Sequence, residues 1–282
     1  MVSSTPVTVG APRALPPGRV RISGALRAEW TKIRTVRSTA WCLLATVVAG
    51  LGIGILASAS EASRWRNGGV INMVLFDPTS VSLTGLVFGQ LAIGVLGVLT
   101  ISAEYGSGSI RATLAAIPRR PVVLGAKAAV FGVLSLVVSE AVSFSAFFVG
   151  QAIMSGSAPT ATLSDHDVVR AVIGGGLFLT VLGLFALGLA TIIRHTAGSI
   201  TTFVAILLIL PLVDSAFPAK IGWPIGRYLP ATIGSAMTST TLQGAHADFL
   251  PSFPFWHGFA LLCGYALGAL VIGGVLMIRR DP

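Results

Sequence analysis

The 26 residues VVRAVIGGGLFLTVLGLFALGLATII, from Val168 to Ile193, contain one charged side chain, Arg170, and no proline. A helix that crosses a bilayer needs about 20 predominantly apolar residues in succession. A membrane-spanning β-strand would instead alternate apolar and polar residues over about ten positions, and this run does not alternate. The run therefore predicts a transmembrane helix.

Five further apolar runs have the same character: Ala40–Ser60, Thr79–Ser102, Val122–Ile153, Gly198–Phe217 and Trp256–Ile278. Only 10% of the 282 residues are charged, whereas a soluble domain carries about 25%. We predict an all-α polytopic membrane protein with a single six-span domain over residues 23–282. Residues 1–22 hold four prolines and no apolar periodicity, so we expect a disordered cytoplasmic tail.

The net charge of +9 follows the predicted topology. If the N-terminus is cytoplasmic, 14 of the 19 Lys and Arg residues fall on the cytoplasmic side. The positive-inside rule then predicts a cell-membrane protein with both termini in the cytoplasm. The excess charge is explained without a nucleic-acid partner, and we expect none.

The sequence lacks the motifs of common catalytic and cofactor sites. No G-x-x-x-x-G-K-[ST] loop that would hold a nucleotide occurs, and no H-E-x-x-H zinc motif occurs. The four histidines show no ligand spacing. We expect a protein that is not an enzyme and that binds no cofactor or metal itself. G-x-x-x-G begins at four glycines, about as often as chance gives for this glycine content, so it does not predict a dimer face; these are Gly50, Gly85, Gly222 and Gly264.

A basic amphipathic segment precedes the first span. Ser23 is a suitable N-cap for a helix over Gly24–Arg37. An apolar face at i, i+4 and i+7 is formed by Leu26, Trp30 and Ile33. We expect this helix to anchor on lipid at the inner membrane surface. The alternative is a simple extension of the first span.

The connection between spans 2 and 3, Ser102–Pro121, contains a second short helix. Ser109 is its predicted N-cap and Pro118 its stop, which gives Ile110–Ile117. One face carries Ile110, Leu114 and Ile117, with Arg111 beside it. So short a helix cannot bury that face alone, and we expect it to lie on the membrane or in a groove of another protein.

Two more features need an explanation. Residues 218–255 include the apolar stretch Ile221–Met237, broken by Pro224 and Pro230, which favours re-entrant or interfacial helices with Trp223 and Tyr228 at headgroup level; the alternative is a folded extracellular cap. Glu140 lies in the third span beside Ser139 and Ser143. A charged acid is costly inside the membrane. Glu140 therefore either lines a translocation path or makes an interhelical hydrogen bond, in its ionised or its protonated form.

Three stretches carry a resemblance to a known family. EYGSGSIRATLAAIPRRPVVLGAKA (Glu104–Ala128) resembles the E-Y-x-x-G-[ST]-[IL]-R segment, and the stretch after it, of ABC-2-type transporter permeases, especially the actinobacterial ones. LRAEWTKIRTVRS (Leu26–Ser38) resembles their N-terminal elbow helix. YLPATIGSAM (Tyr228–Met237) resembles the element before their last span.

The resemblance implies a permease that pairs with a second permease, identical or homologous, and with two separate ATP-binding subunits that hold ATP and Mg²⁺. It also implies that the loop between spans 2 and 3 couples the permease to the ATPase. Glu104 would support the hinge of that loop. Its contacts would be Ile110, Arg111, Leu114, Ile117, Arg119 and Arg120. The expected function is export of a hydrophobic or amphipathic compound.

Two alternatives remain open from the residues. The first is an ion-coupled secondary transporter that uses Glu140 as its proton site. The second is a membrane assembly or sensor subunit that transports nothing.

Overall fold

A computed structural model of the chain describes residues 22–68, 76–117, 119–216, 225–240 and 253–279. Within these residues all regular structure is helical, which agrees with the predicted all-α class. The predicted tail, apart from Ile22, lies outside the described residues. Pro118, Trp223 and Pro224 also lie outside them.

The described helices follow the apolar runs and the local capping signals. Asp77, for example, starts one helix by accepting hydrogen bonds from the backbone N–H groups of Thr79 and Ser80, with Pro78 in the first turn. In chain order the helices are α1 Ile22–Thr35, α2 Arg37–Arg66, α3 Pro78–Leu83, α4 Leu86–Ser107, α5 Ser109–Ala116, α6 Arg120–Met154, α7 Val168–Ile193, α8 Thr196–Val204, a π-helical turn Ala205–Ile209, α9 Leu210–Ala216, α10 Pro230–Met237 and α11 Phe255–Arg279.

Six helical segments are long and apolar enough to cross a membrane, which confirms the predicted number of spans. Spans 1, 3, 4 and 6 are α2, α6, α7 and α11. Span 2 combines α3 and α4 over Pro78–Ser107, and span 5 runs over Thr196–Ala216. The chain is a multi-pass membrane protein by this criterion. Each predicted run lies within its observed span, except for Phe217, which lies outside the described residues, and the helices extend beyond most of the runs.

Span 4 forms the centre of the bundle. In the most apolar window of each helix, 67% of span 4 is buried inside the protein, compared with 22% of span 1 and 17% of span 5. Spans 2, 3 and 6 all pack on α7. Glycines allow some of these close contacts, since a side chain at Gly183 would overlap the ring of Phe131.

Two of the four G-x-x-x-G motifs meet inside the chain. A Cβ on Gly85 of span 2 would overlap the carbonyl of Gly50 on span 1, and one on Gly54 would lie 2.7 Å from the carbonyl oxygen of Ser82. These motifs therefore serve intramolecular packing of spans 1 and 2, a use that their frequency alone did not indicate.

The two short helices that were predicted with bounds lie close to those bounds. The predicted helix Gly24–Arg37 is observed as α1, Ile22–Thr35, and the predicted helix Ile110–Ile117 is observed as α5, Ser109–Ala116. The proposed N-cap of α5 is wrong, because Gly108 caps it and Ser109 is its first residue. Gly108 has φ of 71°, a left-handed conformation in which glycine avoids strain, and this separates α4 from α5. The third short helix, α10, occupies part of the predicted interfacial segment.

Candidate functional site

Four charged side chains meet at the end of the bundle where α4 finishes and α6 begins, which we call the basal end. They are Glu29 and Lys32 of α1, Glu104 of α4 and Lys127 of α6. The Lys127 side chain is only 1% exposed, those of Glu29 and Glu104 are 5% and 12% exposed, and that of Lys32 is 39% exposed. We call these four residues the ion-pair cluster.

The ion-pair cluster closes on itself through short contacts. Lys127 Nζ lies 2.7 Å from Glu29 Oε2 and 2.6 Å from Glu104 Oε1. Lys32 Nζ lies 2.9 Å from Glu29 Oε1 and 2.8 Å from Glu104 Oε1. Two positive and two negative charges therefore balance, as buried ions require if they are to remain charged.

Both ammonium groups use three hydrogen-bond donors. The third donor of Lys127 reaches the carbonyl oxygen of Thr100 at 3.4 Å, and that of Lys32 reaches Thr113 Oγ1 of α5 at 3.3 Å. The ion-pair cluster thus connects four elements: α1, span 2, α5 and span 3. Burial by itself lowers the pKa of Lys32, but its hydrogen bonds to Glu104 and Glu29 hold that pKa above the usual value, so Lys32 is charged at neutral pH.

Helix α1 turns a polar side toward the bundle. Ala25 and Glu29, one turn apart, are its buried residues, and Lys32 follows three residues later. Of the predicted lipid anchor, Leu26 and Ile33 are half-buried and Trp30 is 48% exposed. The predicted apolar face exists, but the side that ties α1 to the spans is a different one.

Helix α5 rests on the basal end through part of the face that was predicted to contact a partner. Ile110 is 2% exposed, while Leu114 and Ile117 are half-buried. The prediction that Ile110 contacts a partner protein needs correction, because this side chain is packed into the chain's own bundle. The surface that α5 leaves exposed consists of Ser109, Arg111, Ala112, Ala115 and Ala116.

The two arginines after α5 have different surroundings. Arg119 is exposed. Arg120 is half-buried and donates hydrogen bonds to the carbonyl oxygens of Met277 and Ile278, and Arg194 donates to that of Leu276 at 2.8 Å. The last carbonyls of a helix lack partners within the helix and carry partial negative charge. Arg120 and Arg194 therefore cap span 6 and hold its end against spans 3 and 4.

A cleft of about 410 Å³ opens beside the ion-pair cluster, between α1, the start of α2, α4 and α5. Glu29, Lys32, Glu104 and Lys127 line part of it, and the rest is mainly apolar, with Ile33, Val36, Leu96 and Leu99 among the lining residues. Its size and its mixture of apolar walls with a few polar groups are those of a small-molecule site.

Two of the three residues of the predicted translocation path, Glu140 and Ser143, pack against span 4. Ser139 and Ser143 are fully buried, and Ser143 Oγ donates a hydrogen bond of 2.6 Å to the carbonyl of Val172 on span 4. Glu140 is half-buried and lies over Gly176. Ser143 follows Glu140 by three residues, so the two side chains lie on one face of α6. Both pack against span 4, at the adjacent residues Gly175 and Gly176.

Sequence reasoning found Glu104 but missed the other three members of the ion-pair cluster. Lys127 carried a usable signal, since it is a lone charge within an apolar run, like Glu140. In the sequence it entered only the count of Lys and Arg residues on the cytoplasmic side. Lys32 and Glu29 gave a weaker signal, an opposite-charge pair three residues apart in an amphipathic helix. Nothing in the sequence indicated that these residues meet.

Among the described residues, no three His, Cys, Asp or Glu side chains come together as a metal site would need. No protein-family model matches the chain, and no curated protein sequence matches it significantly. The site must therefore be interpreted from its own geometry.

Proposed function

We propose that this chain is the membrane-spanning permease subunit of an ABC transporter of the ABC-2 type. It resides in the cell membrane with both termini in the cytoplasm, so that the basal end is the cytoplasmic one. It pairs with a second permease and with two ATP-binding subunits, which hold ATP and Mg²⁺. The transported compound is hydrophobic or amphipathic and is exported.

The observation that carries this proposal is the attachment of α5. This helix lies between spans 2 and 3 at the basal end, buries Ile110 and joins the ion-pair cluster through Thr113 and Lys32. A push on α5 from an ATPase would reach α1, span 2 and span 3 together, because packed elements joined by short ion pairs move as a unit rather than deforming one by one. Glu104 acts in this scheme as the junction between span 2 and the pushed helix.

The exposed side of α5 is the proposed contact for the ATP-binding subunit. It presents Arg111 beside three alanines, Ala112, Ala115 and Ala116. Small side chains allow a partner to approach the helix closely, and the exposed Arg111 and Arg119 suit an acidic rim on the partner. Substrate binding from the inner side would use the cleft beside the ion-pair cluster, whose walls are mainly apolar.

The test is reconstitution of the chain with an ABC ATP-binding subunit from the same genome. The variant Arg111→Glu with Ala115→Glu reverses the charge and blocks close approach at two exposed positions. We expect loss of co-purification and of permease-stimulated ATP hydrolysis. Arg66→Glu is the matched control, since Arg66 is exposed at the opposite end of span 1 and should have no effect.

Unchanged complex formation and unchanged ATP hydrolysis in the double variant would contradict the proposed contact. Failure of every ABC ATP-binding subunit of that genome to bind the native chain would contradict the proposed class and favour the non-transporting subunit.

One observation favours a second candidate, the ion-coupled secondary transporter. Glu140 is an acid within a span, and none of the described residues bonds to it. The two functions differ in energy source. Transport by native protein in vesicles that stops when the proton gradient collapses, persists without ATP and is lost in Glu140→Gln would identify the secondary transporter.

A further inference from the structure

Glu140 occupies the middle of the hydrophobic part of span 3. It follows Lys127 by 13 residues and precedes the last residue of α6, Met154, by 14. At 1.5 Å per residue it therefore lies about 20 Å from each along the helix axis. The hydrocarbon core of a bilayer is about 30 Å thick. The carboxyl group is thus far from both headgroup layers.

The carboxyl group of Glu140 packs against the backbone of span 4 at Gly176, and we call this contact its seat. A Cβ placed on Gly176 would lie 2.6 Å from both Glu140 Oε1 and Oε2, so the carboxyl fits only because residue 176 is glycine. Oε2 is buried and accepts no hydrogen bond from the described residues. The seam between spans 3 and 4 therefore encloses one oxygen of an acid without providing it a donor.

No cation of the neighbouring helices pairs with this acid. The only charged residue of α7 is Arg170, about 9 Å along the axis from Gly176, and its guanidinium contacts Asp167 at 3.2 Å and the ring of Phe255. The helices packed against α6 carry other ionisable residues, and most of these lie toward the helix ends, away from Glu140. They are Arg27, Glu29, Lys32, Arg34, Arg37, Cys42, Glu61, Arg64, Arg66, Glu104, Tyr105, Arg111, His257 and Arg279. Cys263 and Tyr265 lie further inside α11; neither is a cation, and the Tyr265 hydroxyl donates to the carbonyl of Tyr228.

An unpaired carboxylate in a low-dielectric medium is much less stable than the neutral acid, and such groups take up a proton instead. We infer that Glu140 is a proton-binding site at the seam of spans 3 and 4 and that it holds its proton at neutral pH. The site releases the proton only when the seam parts and admits water or a cation. This inference concerns the resting chain and holds whether or not an ATPase drives it.

The test is infrared spectroscopy of the full chain at neutral pH in micelles of a detergent without ester groups, since lipid esters absorb in the region of a neutral carboxyl group. A neutral carboxyl group has a carbonyl stretch that is separate from the bands of carboxylates and amides. We expect this band in the native protein and its loss in Glu140→Gln. Glu61→Gln is the matched control, because Glu61 is paired with Arg64 at the end of span 1, and the band should persist in it.

A native spectrum without the band, or a band that survives in Glu140→Gln, would overturn the inference. If Glu140→Gln does not fold, native protein treated with dicyclohexylcarbodiimide at neutral pH decides the matter. This reagent adds to a protonated carboxyl: the acid proton moves to one of its nitrogens, and the carboxylate oxygen bonds to its central carbon. An adduct on Glu140 found by mass spectrometry supports the site, and an unmodified Glu140 overturns it.

Discussion

Glu104 and Glu140 are both glutamates within stretches apolar enough to span a membrane, yet the fold treats them in opposite ways. Glu104 lies between two lysines, with Nζ–Oε1 distances of 2.6 and 2.8 Å. Glu140 lies against a glycine and bonds to none of the described residues. The difference teaches that an acid inside an apolar segment has two stable outcomes, compensation by buried cations or neutralisation by a proton.

The largest loss of stability is expected from removing Lys127, the most buried cation of the ion-pair cluster. Lys127→Ala leaves Glu29 and Glu104 to share the single charge of Lys32, so one buried negative charge is uncompensated. We expect a loss of about 3–5 kcal/mol in the free energy of unfolding. Denaturant titration in detergent micelles measures it. Arg64→Ala removes a cation from an exposed pair and should cost at most about 1 kcal/mol. Equal costs for the two variants would show that the ion-pair cluster does not stabilise the fold.

The contact of Glu140 with Gly176 provides a second test, with an expected loss of stability of intermediate size. Gly176→Ala places a methyl group on the carboxyl of Glu140, and overpacking of this kind costs about 1–3 kcal/mol. In a Glu140→Ala background the same substitution should cost much less, so a double-mutant cycle should give a clear coupling energy.

Gly125→Ala is the control for helix propensity in this cycle. A Cβ on Gly125 of α6 meets no atom within 4 Å, and alanine favours a helix over glycine by about 1 kcal/mol. This variant should be neutral or stabilising. Additive costs for Gly176→Ala and Glu140→Ala would mean that the carboxyl does not occupy this seat.

The smallest expected effect concerns the link from the ion-pair cluster to α5. Thr113→Val keeps the shape of the side chain but removes the hydroxyl that accepts from Lys32, which should cost about 0.5–1.5 kcal/mol. Hydrogen exchange should become faster in α5 and stay unchanged in α6. Thr202→Val removes a hydroxyl that bonds only within its own helix and should leave α5 unchanged. Unaltered exchange in α5 would show that Ile110 alone holds this helix.

The spans were predictable because the signal is local. Each needs only a sufficient run of apolar residues, and all six observed spans overlap a predicted run along most of its length. The short helices α1 and α5 were also predictable, since periodicity and breaking residues mark them. The orientation of α5 was not, because the same apolar face of Ile110, Leu114 and Ile117 suits the chain's own bundle or a partner equally well.

The ion-pair cluster shows where sequence reasoning ended. Glu29 and Lys127 are 98 residues apart in the chain and belong to different helices. Arg120 was assigned to a partner interface, whereas it donates to carbonyls at the end of span 6, 157 residues away. Pairings of this kind depend on which helices pack together and at what height, and apolar periodicity does not encode either.

By itself the sequence determined the all-helical class, the six spans and the need to explain every charge within them, because hydrocarbon excludes unpaired polar groups whatever the packing. The tertiary structure alone decided how each charge was treated. It brought two lysines to Glu104 and Glu29, and a glycine to Glu140, because helix packing sets which side chains lie within a few ångströms of one another.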